Sequence, residues 1–416
     1  MGYLKSVIII RRWLYVAILA GLLAPYSAFA QIDPTERDLI QLGANRNIEG
    51  AQPISAYAFY YRNRPDFLDN TNLTLRLAIA PTYIDSELGI RNALGENTDL
   101  GIGIAGGGLA DNYYEVEGGK YFPEQSFNGS GTTFSTSIYH LFDPGKLIPL
   151  SGILRGEVHY AGYSKNSDSD ITFAVPDSVT SMNVRTGFRF GGMEPVLFTA
   201  VALELSGWYE GQFRLDPQNY GYVTDPYHIN AASHLFWGRA LFAYTLTNSQ
   251  QSFMVSITGG GSADADRFSA YRIGSLLPQG AEFPLMLPGY YSDEFSATRF
   301  VDFEGMYHIP VSADKRWTMN LVAGTAYVDY LPGTGQSGRW NTGVGGGPGY
   351  LSHSGAWKIM LDYCYGFDAI RSGGRGSQSI GLLMQIDLEH YPGKESAPDD
   401  EGFFKRNWDN LVHSLD

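Results

Sequence analysis

From about residue 54 to 391 the chain repeats one pattern: ten to fifteen residues of alternating apolar and polar character, broken by clusters of Gly, Asn, Asp, Pro and Ser. Alternation at period two puts every second side chain on one face of a strand. In the last such run Ile380, Leu382, Met384, Ile386 and Leu388 oppose Gly381, Gln385, Asp387 and Glu389. Further upstream Leu203, Leu205, Tyr209 and Phe213 oppose Glu204, Ser206, Glu210, Gln212 and Arg214. The pattern predicts fourteen strands, near 54–64, 73–84, 98–108, 131–142, 151–163, 182–191, 195–213, 233–246, 251–262, 296–309, 316–331, 341–352, 356–369 and 378–391.

A soluble sandwich would also show one apolar and one polar face, so strand length decides between the two. Sandwich strands average about five or six residues, whereas a tilted strand needs roughly 9–11 to cross the hydrocarbon of a bilayer. These runs are of the longer kind and carry aromatics toward their ends, among them Tyr57, Tyr83, Tyr160, Tyr209, Tyr330 and Tyr391. Short links such as 247–250 and 353–355 also alternate loosely with long ones such as 109–130, 164–181, 214–232 and 263–295. That asymmetry is expected of outer-membrane barrels. The composition agrees: 50 Gly and 14% aromatics favour strands and turns over helices. The expected fold is all-β, a closed antiparallel transmembrane barrel of about 12–16 strands.

Around the barrel the chain divides into three further parts. Lys5, Arg11 and Arg12 precede an apolar stretch, Trp13 to Leu23, and Ala28-Phe29-Ala30 follows, which is the order of a secretory signal cleaved after residue 30. Residues 31–53 are expected to form a short periplasmic segment outside a barrel that spans 54–391. The acidic tail 392–416 is expected to hold a short amphipathic helix at the periplasmic mouth. Its start chemistry is Pro398-Asp399-Asp400-Glu401, and Phe403, Phe404, Trp408, Leu411 and Val412 recur at helical spacing.

Charge and motifs narrow the function. A net charge of −14 opposes any grip on nucleic acid through its phosphates. Cys364 is the only cysteine, so neither an internal disulfide nor a cysteine-cluster metal site can form. Asp168-Ser169-Asp170 and Asp264-Ala265-Asp266 lack the Gly and distal Glu of an EF-hand loop and read as solvated loop acids. Ser233-His234 and Ser352-His353 are adjacent in strands, which points the two side chains to opposite faces and denies a nucleophile its base. Gly343-Val344-Gly345-Gly346-Gly347-Pro348-Gly349 lacks the Lys of a phosphate loop and marks a bend or close packing of a loop against the wall. No enzyme activity and no cofactor is expected.

The segment 264–297 holds several ionisable residues together with Leu276, Leu277, Phe283, Leu285, Met286 and Leu287, too apolar for a freely exposed loop. It has a strand end with Arg and Gly, then a long loop with Pro288-Gly289-Tyr290, then acids leading into a strand. This arrangement, with four strands after 296–309, resembles the outer-membrane assembly and translocation barrels of the BamA/TamA type, the bacterial surface-antigen family. The resemblance implies a lumen-inserted loop whose tip carries Arg-Gly-aromatic. Gly289 and Tyr290 match the Gly and the aromatic, while Pro288 stands where the Arg would be. The family's periplasmic POTRA modules have no counterpart in 31–53.

The loop is therefore expected to fold inward and restrict the lumen, with Arg267 and Arg272 facing wall acids such as Glu204, Glu210, Asp302 and Glu304. Two functions are expected from the sequence. One is a barrel that inserts or translocates client polypeptides, the other a porin for small solutes, and in both the partner outside the wall is outer-membrane lipid.

Overall fold

The structure, a computed structural model, describes residues 35–51, 55–146, 148–192, 201–275 and 283–389. In chain order its strands are β1 (Arg37–Asn47), β2 (Ala56–Pro65), β3 (Leu73–Ala80), β4 (Tyr83–Ile90), β5 (Thr98–Gly107), β6 (Tyr113–Glu117), β7 (Lys120–Leu141), β8 (Leu150–Lys165), β9 (Val179–Gly192) and β10 (Val201–Leu215). The second half adds β11 (Tyr220–Tyr222), β12 (Asp225–Tyr227), β13 (Ala232–Thr245), β14 (Ser252–Ala263), β15 (Tyr271–Ile273), β16 (Phe295–Pro310), β17 (Trp317–Tyr330), β18 (Trp340–Leu351), β19 (Trp357–Arg371) and β20 (Gly374–Asp387).

Sixteen of these form the wall, each pairing antiparallel with the next. β20 returns to β1 in an unbroken register from Leu39–Asp387 to Asn47–Ser379, so the barrel is closed. Closure pairs every strand edge, the condition for a sheet to stand in hydrocarbon. Among the described residues no helix is long and apolar enough to cross a membrane. The faces follow the sequence pattern: Leu203, Leu205 and Phe213 are exposed on the outer wall while Glu204, Ser206 and Arg214 are buried inside.

Two wall strands escape the sequence pattern. Residues 31–53, expected to lie outside the barrel, supply β1, which zips the closure between β2 and β20. Its inward side chains Gln41, Asn45 and Asn47 are polar, and only Ile40, Leu42 and Ala44 are apolar on the other face, too short a run to stand out. β4 is the other: the expected strand 73–84 is β3 plus a turn at Pro81-Thr82, from which β4 runs back antiparallel to Ile90. The expected helix in 392–416 and the expected signal in 1–30 lie outside the described residues.

The first residue of β1 and the last of β20 share one end of the barrel with the links β2–β3, β7–β8, β13–β14, β16–β17 and β18–β19. The opposite end carries the long connections, which hold the remaining short strands. There β6 pairs with the first part of the 22-residue β7 to form a hairpin that rises above the wall. Tyr113 of β6, Phe127, Phe173, Tyr220 and Phe268 come from five different segments and pack with ring centroids 5.1–6.4 Å apart. This aromatic dome covers the long-loop end of the lumen.

Candidate functional site

The β14–β16 connection turns back into the lumen. Met286 donates its backbone N–H to Glu304 of β16 (2.8 Å), the tenth residue of that strand, so the loop reaches well below the rim. From there Pro288 and Gly289 run across the inner faces of β17, β18 and β19. The wall is flat beneath them because Gly324, Gly343 and Gly366 are directly paired neighbours on three successive strands. A Cβ on Gly343 would lie 1.8 Å from the Pro288 carbonyl oxygen, and one on Gly324 2.9 Å from the Pro288 ring. Gly343, the first residue of the glycine-rich run of β18, is thus part of a seat for the loop, while the later glycines of the run approach the neighbouring strands β17 and β19.

Gly289 itself needs glycine. Its φ is +87°, and a Cβ there would meet the Gly366 backbone nitrogen at 2.1 Å. Its carbonyl accepts a hydrogen bond from the Asn47 side chain of β1 (2.9 Å), which also donates to Ser377 of β20 (2.8 Å). Tyr290 is fully buried; its hydroxyl donates to the Thr342 carbonyl and accepts from the Asp368 N–H, both at 3.2 Å. Four residues later Glu294 holds the Arg371 guanidinium in a two-armed pair (2.8 and 2.7 Å). Arg371 also lies over the Tyr291 ring, 3.7 Å from its centroid.

On the far wall the loop ends in an aromatic contact. Phe283 packs against Trp208 and Trp237 (5.4 and 5.7 Å between centroids), with Arg239 and Arg189 over its ring at 4.7 and 5.6 Å. Cations over an aromatic face are attracted by its quadrupole, most strongly where water is scarce. Residues 283–294 therefore touch β9, β10 and β13 on one side and β16 to β19 and β1 on the other. The loop spans the lumen.

The predicted ion pairs form differently. Arg267 and Arg272 do not reach Glu204, Glu210, Asp302 or Glu304. Arg267 stays at the long-loop end, bound to Glu115 (3.1 Å) and Glu117 (2.9 Å) of β6 and stacked on Tyr227 at 3.7 Å. Burial pushes the Glu115 carboxyl above the ordinary glutamate range, against the opposing pull of Arg267. Arg272 donates to the Arg267 carbonyl (2.6 Å) and lies over Tyr113.

The wall acids find partners on adjacent strands instead, because side chains facing one another across a ladder are already within reach. Glu204 takes Arg239 (2.6 Å) and Glu210 takes Arg185 (2.7 Å). Glu304 accepts from Met286 and from Ser256, and Asp302 is buried two residues along the same face with no ion pair among the described residues. Asp266, expected to be solvated, is buried against Arg214 at 2.8 Å. The partners of Glu294 and Phe283 have no signal in the sequence: both residues belong to the loop's acids and apolar side chains, but Arg371, Trp208 and Trp237 are distant in the chain.

No family model and no curated protein sequence matches the chain. Solved structures match it in fold. CdiB from Acinetobacter baumannii superposes with a TM-score of 0.52 at 8% identity, covering 84% of this chain and 60% of that one. The shared feature is the barrel. BamA from Haemophilus ducreyi, in a form lacking POTRA domains 1–3, covers 84% of this chain and 70% of that one at 11% identity and a TM-score of 0.49. Pseudomonas aeruginosa OccK11 (OpdR) covers 88% and 99% at 10% identity, with a TM-score of 0.33. The chain thus has the fold of an outer-membrane barrel and spans 60% of the length of CdiB.

Proposed function

We propose that the chain is an outer-membrane barrel of the assembly and translocation type, kept shut by its lumen loop, and that client polypeptides are its partners. The observation that carries this reading is the seat of Met286–Tyr290 on Gly324, Gly343 and Gly366, continued to the opposite wall by Phe283. A diffusion porin needs an open constriction with charges lining it. Here the loop crosses the lumen, and the aromatic dome lies above it, so passage requires the loop to leave its seat. Ser233 is buried inward while His234 packs outward against Tyr209, so these two neighbours do not form a nucleophile–base pair.

Planar-bilayer conductance tests the proposal. The full chain should insert with little steady current, and deletion of 275–292 should open a stable conductance in a barrel that still shows heat-dependent gel mobility. Steady open-pore current from the full chain would favour a small-solute channel. N-terminal sequencing of outer-membrane fractions should find Gln31 first.

A further inference from the structure

The outer wall is not evenly covered. On β18 the outward positions Gly346 and Pro348 carry little or no side chain, while their paired neighbours on β17, Leu321 and Met319, stand out from the wall. On the other flank Leu361 and Ile359 of β19 do the same. At the lower end of this strip an apolar groove of about 490 Å³, bounded by Trp317, Pro348, Tyr350, Trp357, Ile359 and Leu361, opens on the lipid-facing surface. Its lower end, toward the short-turn end of the barrel, is closed by Tyr350, with Trp317 and Trp357 packed edge-on and tilted against it at 4.8 and 5.3 Å.

The rim at that end is basic. The β16–β17 turn brings Lys315 and Arg316 there with one acid, Asp314, which pairs with the Arg316 Nε at 2.7 Å and leaves the turn one net positive charge, and Arg316 also reaches the Tyr350 hydroxyl at 3.4 Å. Aromatic residues sit at the headgroup level of membrane proteins, so this is where a lipid's polar group would lie.

From this shape and charge we infer that the groove seats one acyl chain of an anionic glycerophospholipid, its phosphate held beside Arg316. The inference rests on the membrane reading of the barrel. Lipid tails gain nothing from leaving lipid, so the seat works by packing: a chain lying in a rigid groove makes dispersion contacts that a disordered tail crossing its mouth does not. The cations add headgroup choice, since a basic residue near the surface is worth roughly a fivefold preference for an anionic lipid.

The purified full chain in detergent micelles, given equal amounts of dimyristoyl phosphatidylglycerol and dimyristoyl phosphatidylcholine, tests this by native mass spectrometry. One retained lipid is expected, phosphatidylglycerol over phosphatidylcholine. Pro348→Phe and, independently, Ile359→Trp fill the groove and should abolish retention while heat-dependent gel mobility stays normal. Arg316→Ala should keep a lipid but lose the headgroup preference. A folded, micelle-bound wild-type barrel that retains no lipid, or filled variants that retain it equally, would overturn the groove alone. Lipid-free dimers that Pro348→Phe dissociates would overturn it in favour of a second copy. A chain that does not enter micelles would overturn the membrane reading.

Discussion

The Arg371 guanidinium and the Glu294 carboxylate meet in a fully buried pair, with the arginine on the wall and the acid on the loop. The resemblance noted in the sequence implies an arginine on the loop tip instead. Here Pro288 occupies the tip, and the charge contact moves to Glu294, just before β16. The tip itself is held by shape and backbone hydrogen bonds.

Breaking that pair should release the loop. Arg371→Ala or Glu294→Gln leaves a buried partner uncompensated, at a cost of about 3–5 kcal/mol. Each should raise the frequency of open-channel events in bilayers. The double reversal Glu294→Arg with Arg371→Glu should recover part of the loss, and additive effects in that cycle would show that the two residues act independently.

The glycine seat makes a sharper contrast. Gly343→Ala places a methyl group 1.8 Å from the Pro288 oxygen and should unseat the tip. Gly207→Ala, on the outward face of β10 across the barrel, meets nothing within 4 Å and should leave conductance and thermal stability unchanged. Equal behaviour of the two variants would argue against close packing of the loop.

Cys364 offers a direct reading of the loop's position. It is buried, unpaired as a thiol, and packs with Met286 and Val322 in one cluster. Met286→Cys should therefore cross-link to Cys364 under mild oxidation or with a short bis-thiol reagent. No cross-link in a folded barrel would place the tip elsewhere.

Much of this architecture is legible in the sequence, and the remainder is hidden for identifiable reasons. Period two finds strands wherever the outward face is rich in large apolar residues, as in β10 and β20. It misses β1, whose outward run is short, and misses most of β4, because the expected strand 73–84 runs on through Pro81-Thr82, which lacks the glycine or asparagine that marks other turns, and stops two residues into β4. The inward course of the loop follows from its apolar residues, and part of its seat from the glycine run of β18. The partners do not follow. Arg267 and Glu115 are 152 residues apart, and a sequence shows which charges exist without showing which walls and hairpins bring them together.

The pairs inside the wall should also differ in weight from those outside it. Glu204 is almost fully buried between Arg239 and Ser206, whereas Arg299 beside Asp329 is 72% exposed. Glu204→Gln leaves Arg239 buried with a weaker acceptor and loosens the cations that hold Phe283, so it should lower stability by up to about 3–5 kcal/mol. Asp329→Asn removes a solvent-screened contact and should cost under about 1 kcal/mol. Denaturant-induced loss of barrel mobility on unheated gels measures both. Because Arg239 lies over Phe283 at 4.7 Å, Glu204→Gln should also alter the fluorescence of Trp208 and Trp237, a change that Asp329→Asn should not produce. If both substitutions leave those signals alike, the Arg239 cluster does not couple the wall to the loop.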